Sequence, residues 1–417
     1  MAQIPRDSAL DSTLSLLSEG YRFIPERCRR YRSDLFETRL MLRRAVCISG
    51  EEAARLFYDT GRFTRNGAMP QTTLRLLQDK GSVQTLDGEA HRVRKRMFLS
   101  LVAPEALRRM REVFAAQWRS AIPKWQDMGE AVLFPEAREI LCRGVCAWAG
   151  LPLGDEEARQ RTAEFGAMID GAGSAGPRAW RGLLLRSKTE RWARGVIDRV
   201  RAGDLKAPEG SAVQLIAAHR DADGSLLDRS TAAVELINLL RPTVAVDRYI
   251  VFAALALHEH PEFREQLASP AATDEDRERF VQEVRRFYPF FPFVGGRVTR
   301  GFTWKGHDFA EGAWVLLDLH GTNHDPRLWE EPETFRPDRF RAWNGSPFNF
   351  IPQGAGDVAK DHRCPGERLT IELVKEAVAL LTGAMRYEVP EQDLTIDLSR
   401  VPAIPKSRFV IRNVRSA

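Results

Sequence analysis

Apolar residues recur every three to four positions along most of this chain, and that spacing predicts helices. Between about residues 88 and 290 it runs through EALRRMREVFAAQWRSAI, EEARQRTAEFGAMI, SKTERWARGVIDRVRAG and ELINLLRPTVAVDRYIVFAALAL. Leu369, Leu373, Ala377 and Leu381 repeat every four residues, predicting a last amphipathic helix from Cys364 to near Ala384. Strand signals are fewer. LFETRLMLRRAVCIS (35–49) reads as strand, followed by the helix-like EEAARLFYD. GFTWKGHDFAEGAWVLLDL (301–319) alternates and carries turn glycines, predicting a small hairpin. A Pro-rich, aromatic stretch, HDPRLWEEPETFRPDRF, reads as irregular. The pattern predicts a mainly α fold with a minor β region, and no composition shift marks a linker within 1–417.

The totals narrow this only a little. At 417 residues, 43% apolar and 29% charged, the chain has a globular profile. No apolar run approaches a membrane span, and no basic and then apolar leader opens the sequence, so a cytoplasmic protein without integral membrane association is expected. Only nine of the 62 basic residues are lysine, and the arginines are scattered, which fits composition bias better than nucleic-acid binding. Five widely spread cysteines argue against a disulfide framework. Cys142 and Cys146 sit four apart among apolar residues and read as core. GAGSAG (171–176) matches a dinucleotide fingerprint letter for letter, but helical residues precede it and Pro177 follows, so a loop between helices is the better reading.

Cys364 is different. Just before Pro365 and a helix, it meets the N-terminal dipole and backbone N–H groups, with His362 and Arg363 beside it, a setting for a reactive or metal-ligating thiolate. Upstream, Glu283 and Arg286 in FVQEVRRFYP sit three apart and can pair, and Arg339 in FRPDRF can reach back to them.

The order E-x-x-R, then N-x-D-P…F-x-P-x-R-F, then H-x-C-x-G resembles the cytochrome P-450 superfamily over nearly the whole chain. The resemblance implies that fold, with haem b between the central helix and the cysteine helix, as a single haem-thiolate domain over 1–417. It implies Cys364 as the axial ligand of the iron, and Glu283, Arg286 and Arg339 as scaffold. By spacing, His91 and Lys95 in LDGEAHRVRKRMF would contact the haem propionates, with His362 and Arg297 as further donors. The cysteine loop departs from the usual pattern. Asp357 and Lys360 stand where Phe and Gly are usual, with FIPQGAG further upstream, so the loop is lengthened and ordinary redox-partner docking is disfavoured.

The central helix departs more. Relatives usually carry an acid and a threonine that relay protons to bound dioxygen, whereas here the stretch reads RPTVA (241–245), with Val244 and Ala245 at those positions. A charge in an apolar core needs a partner. Pro242 deletes the hydrogen bond to the Asn238 carbonyl and is expected to kink the helix. Arg241 then reads as a bidentate carboxylate receptor, the alternative being an internal pair with an acid such as Glu235. The Arg-Pro pair, IPQGAG…HRCPGE and QEVRRFYPF resemble the bacterial fatty-acid peroxygenase branch. That implies hydroxylation of a long-chain fatty acid by hydrogen peroxide, with no reductase, and the substrate's carboxylate as general acid–base. Gln84, where decarboxylating relatives carry His, points to hydroxylation. Phe291, where β-hydroxylating relatives can carry Gly, points to C2 over C3. A partner-dependent monooxygenase and a non-catalytic haem fatty-acid sensor are the alternatives.

Overall fold

The computed structural model describes residues 4–59, 61–79 and 81–417. The long apolar run around Arg241 forms two helices, Arg229–Val244 and Asp247–Glu259, parted by a turn at 245–246. Pro242 does not break the helix where it stands. The helix continues past it to Val244, the Ala245 N–H reaches the Arg241 carbonyl at 3.1 Å, and the Val246 N–H tightens onto Thr243 at 3.2 Å, so the helix ends in the turn after the proline. Asp247 then opens the second helix as a buried carboxylate, accepting from Arg138 Nε at 2.6 Å and Arg248 at 3.1 Å. Both helices lie inside the main core with Pro104–Met128, Leu133–Trp148 and Glu367–Ala379. Cys142 and Cys146 are fully buried there. GAGSAG links the helices Asp155–Gly171 and Pro177–Ala202.

The β part gathers distant segments. The larger sheet runs Leu35–Leu40, Arg43–Ile48, Trp314–Asp318, Phe293–Val298 and Phe63–Thr64, with only the Arg43–Ile48/Trp314–Asp318 pair parallel. The hairpin expected over 301–319 is therefore shorter, Phe302–Trp304 with His307–Phe309. Trp314–Asp318 is buried throughout because it is an interior strand, which local alternation cannot announce. A second sheet joins Glu130–Val132, Val410–Ser416 and Met385–Glu388. The last helix opens at Glu367 with Gly366 as its cap, so Pro365 and Cys364 both precede it, and it closes in a π turn over Leu380–Ala384. Among the described residues, no helix is long and apolar enough to cross a membrane.

Asp318 ends the interior strand with its carboxyl fully enclosed, accepting from the Gly321 N–H (2.8 Å) and the Ser49 hydroxyl (3.1 Å). Burial pushes its pKa up to about 7. A carboxyl whose pKa is raised on folding stabilises the fold at low pH and loses that contribution as pH climbs through the folded value. Relative to Asp318→Asn, the wild type is expected to lose ~2 kcal/mol of stability between pH 5 and pH 7, read from urea unfolding at each pH.

Candidate active site

Cys364 sits at the end of a loop fixed from several sides. Its N–H donates to the Gln353 carbonyl at 3.1 Å, and Gln353 Nε2 approaches its sulfur at 3.8 Å. Gln353 is itself held by Arg285 NH2 at 3.0 Å. Arg285 also pairs with Glu367, which takes Arg363 Nε at 2.6 Å. At Gly354 the backbone has φ +97°, and a Cβ would stand 2.6 Å from the Tyr58 hydroxyl, so a side chain there would be both strained and crowded. The lengthened part closes on itself as an exposed turn: Asp357 Oδ1 accepts from the Ala359 and Lys360 N–H groups, and the Asp361 N–H returns to the Asp357 carbonyl.

Burial pushes the Cys364 thiol up and Glu367 adds to it, while the Gly366 N–H, Lys95 and Arg285 pull it down. The helix N-terminus thus works against burial at this sulfur, and a coordinated cation would favour its thiolate.

Beside the loop lies a cluster of basic groups. Lys95 donates to the Asp361 carbonyl and, at 2.7 Å, to that of Arg363. The His91 and His362 ring centres lie 4.1 Å apart with the planes tilted by 32°, and Asp87 stands 3.7 Å from His362 Nε2. Burial, then His362 and Lys95, push His91 down to about 3; burial also takes His362 to about 4 and Lys95 to about 8. Arg65 joins them, donating to Gly295 O at 2.8 Å, and burial lowers its pKa too. Four basic donors gathered beside this loop, each disfavoured in its charged form by burial, suit an anionic group carrying carboxylates. Arg297 donates through Nε to the Gly67 carbonyl and through NH1 to that of Gly312 (both 3.2 Å), over the Trp314 ring. Arg65 carries no periodic or motif signal in the sequence.

Arg241 is only 3% exposed. Its NH1 donates to the Leu76 carbonyl at 2.7 Å and its NH2 to that of Leu77 at 2.5 Å. Both are terminal carbonyls of the helix Gln71–Leu77, whose C-terminal end carries partial negative charge. Among the described residues no carboxylate pairs with Arg241, and the Glu235 alternative fails. Glu235 takes Arg94 at 2.7 Å and accepts from the Val83 N–H and Asn238 Nδ2. Burial, and then the Arg186 cation, weigh against the charge of Arg241. A guanidinium keeps its proton at such a cost, so the strain is expressed as a demand for an anion. Asn238 bridges outward, its Nδ2 donating to Gln84 Oε1 at 3.3 Å while its Oδ1 stands 3.5 Å from Arg241 NH2. Thr243 spends its hydroxyl on the Leu239 carbonyl at 2.9 Å. Phe291 stands 39% exposed, edge-on to Phe290, whose other neighbour is the stacked Tyr249 ring.

A cysteine presented by a braced loop, beside basic donors and against a buried helical core, defines a haem-thiolate protein, and comparison with known proteins agrees. The cytochrome P-450 family profile matches residues 278–401. The chain is 50% identical to cytochrome P450SP alpha (CYP152B1), solved in complex with (R)-ibuprophen, at TM-score 0.95 over 98% of this chain and 99% of that one. It is 42% identical to cytochrome P450EX alpha (CYP152N1), solved with myristic acid, at TM-score 0.96 over the full length of both. Similarity to cytochrome P-450 71A8 of Mentha piperita is 26% over 235 residues, about half of either protein (51% of this chain, 46% of that one). The chain belongs to the cytochrome P-450 family, within the fatty-acid peroxygenase branch that its motifs resemble. Haem with an axial cysteine thiolate is that family's cofactor.

Proposed function

We propose that residues 1–417 act as one haem-thiolate unit that hydroxylates long-chain fatty acids near the carboxyl end, C2 before C3, using hydrogen peroxide. One observation carries this reading: Arg241, buried in the central helix, has hydrogen-bond acceptors but no anion among the described residues. The haem supplies the oxidising chemistry, with Cys364 as ligand and Arg65, His91, Lys95 and His362 as the donors suited to its propionates. Arg241 binds the substrate carboxylate through its planar fork, a geometry lysine cannot offer. Asn238 and Gln84 border that position, and an amide at Gln84 orients without donating a labile proton. Val244 and Ala245 carry no exchangeable side-chain proton, and Thr243 has already committed its own, so the chain itself offers no relay at this turn. The seated carboxylate fills that role, taking and returning the peroxide proton. Phe291 narrows the approach and sets which carbon is presented.

The test is to incubate haem-loaded protein with a long-chain fatty acid and hydrogen peroxide, without reductase or nicotinamide, and identify products by mass spectrometry. Mainly 2-hydroxy acid is expected. Product only with NAD(P)H and partner proteins would favour a conventional monooxygenase, and binding without product would favour a sensor.

Arg186 has a supporting part. It is 2% exposed on the helix Pro177–Ala202, and its NH1 shares the Leu76 carbonyl with Arg241 at 3.3 Å, while Asp79 and Glu190 neutralise it. It thus fixes the helix end on which Arg241 rests. Arg186→Gln should lower kcat/KM about tenfold, mostly through KM, with Arg186→Lys recovering part of it. An unchanged KM for the fatty acid would remove Arg186 from the receptor.

A further inference from the structure

Glu235, Asn238 and Arg241 follow one another at three-residue steps along the helix Arg229–Val244, and all three are buried. An acid and a guanidinium on one helix are ordinarily drawn together. Here an amide stands between them. Asn238 Nδ2 donates to Glu235 Oε2 at 3.1 Å, to the Gln78 carbonyl at 3.2 Å and to Gln84 Oε1 at 3.3 Å. Its Oδ1 faces Arg241 NH2 at 3.5 Å. These neighbours leave the amide one orientation. Turned over, its oxygen would meet three acceptors and its NH2 group a cation, so both ends would be repelled.

The orientation passes on to Gln84. Its Oε1 is taken up by Asn238, so its Nε2 is left as the donor end, and that atom has no acceptor among the described residues. Glu235 holds the adjoining backbone as well. Its Oε1 accepts from the Val83 N–H and from Arg94 NH1, both at 2.7 Å, and Arg94 is gripped in turn by Asp221 at 2.6 Å. Gln84 is thus fixed beside its main chain and at its side chain by one acid–amide pair. The Gln78 carbonyl adds a third tie. Gln78 caps the helix Gln71–Leu77, whose Leu76 and Leu77 carbonyls carry Arg241. One amide therefore joins the segment under the guanidinium to the side chain of Gln84. It does so without neutralising Arg241, which meets a neutral oxygen in place of Glu235.

We propose that Asn238 is a positioning residue for the hydroxylation: it aims Gln84 Nε2 at the carboxylate seated on Arg241 and so shares with Phe291 the choice of carbon presented. This rests on the reaction proposed above. A carboxylate held by a single fork can still tilt about that pair, and a second donor fixed at its side stops the tilt. Any tilt at the anchor is carried to the carbons beyond it, so the aim of Gln84 is read in the ratio of products. A part confined to folding would lower stability and rate and leave that ratio alone.

The test compares wild type, Asn238→Leu, Gln84→Leu and the double variant, each loaded with haem. Leucine nearly keeps the volume of the amide and removes its hydrogen bonds. Fatty-acid affinity is taken from the Soret shift without peroxide, and the ratio of 2-hydroxy to 3-hydroxy acid with it. Asn238→Leu should weaken binding about tenfold and lower the ratio by about threefold or more. In the Gln84→Leu background the same change should leave the ratio within about 1.5-fold, because the residue it acts through is gone. Asn238→Leu also strips a donor from Glu235 and from the Gln78 carbonyl, so Glu235→Gln serves as the milder variant. Asp221 still neutralises Arg94 there, and the Asn238 amide becomes free to turn. The ratio should move the same way by a smaller factor, with the haem-thiolate spectrum unchanged. A ratio unmoved by both variants, or moved equally with and without Gln84, overturns the proposal while the peroxide reaction stands. Wild type that binds the acid and yields no hydroxy acid overturns the reaction and the proposal together.

Discussion

Arg241→Ala is expected to reduce peroxide-driven hydroxylation of a long-chain acid by a hundredfold or more while leaving the haem-thiolate spectrum in place. Two losses coincide. The carboxylate loses a charge-assisted bidentate partner in a site sealed from water, worth roughly 3–5 kcal/mol when one member of a buried pair is removed. The same anion then no longer sits where it exchanges protons with peroxide, so kcat falls as well as affinity. Stability should move in a different way. The alanine leaves the Leu77 carbonyl without its Arg241 donor and the Leu76 carbonyl with Arg186 alone, yet it also removes a buried cation that lacks an anion. These effects oppose each other, so the thermal midpoint should shift far less than activity. Arg241→Lys, a point charge without a fork, should fall between wild type and alanine. Full activity in the alanine variant, by product quantitation, would refute the receptor.

The second large effect concerns the fold. Glu283 and Arg286 are both completely buried and doubly bonded at 2.8 Å, and Arg339 reaches the same carboxylate at 3.2 Å. Arg286 also donates to the carbonyls of Asn323 and Pro332, and Asn323 Oδ1 accepts from the Ile351 N–H at the start of the cysteine loop. Glu283→Gln keeps the volume and removes the charge, leaving two buried guanidinium groups uncompensated. A loss of about 3–5 kcal/mol is expected, a large part of a typical domain's stability. Urea unfolding of the haem-loaded protein measures it, with haem release expected at lower denaturant than in wild type. A midpoint shift within that of surface variants would show that the motif is dispensable to the fold.

Residues whose placement is written into spacing were legible in the sequence. The Glu283–Arg286–Arg339 set forms as its pattern implied, His91, Lys95 and His362 gather beside the Cys364 loop, and Arg241 stands buried without an acid. Other residues were silent because a lone charge carries no periodicity. Arg65, Arg186, Arg285 and Glu367 each take their place through contacts between segments far apart in the chain. The helix end at 245–246 was misplaced for a related reason. Proline removes one donor locally, but where the helix stops depends on Asp247 being drawn to Arg138, a residue 109 positions away. The interior strand Trp314–Asp318 was taken into a local hairpin because both its faces are covered, which erases the alternation that marks a strand.

The helix that carries the Arg241 acceptors is seven residues long, Gln71–Leu77. So short a helix is not stable by itself, so it persists only through its neighbours, and segments of this kind open far more often than a core helix. The anchor for the guanidinium is therefore among the more readily melted parts of the molecule. A seated acid, by fixing Arg241, would tie this segment down, and hydrogen exchange of the amides at 74–79 should slow on ligand binding while those of the central helix scarcely change. Ligand capture would then be recorded as a local freezing of backbone at the rim, with the core as a passive wall.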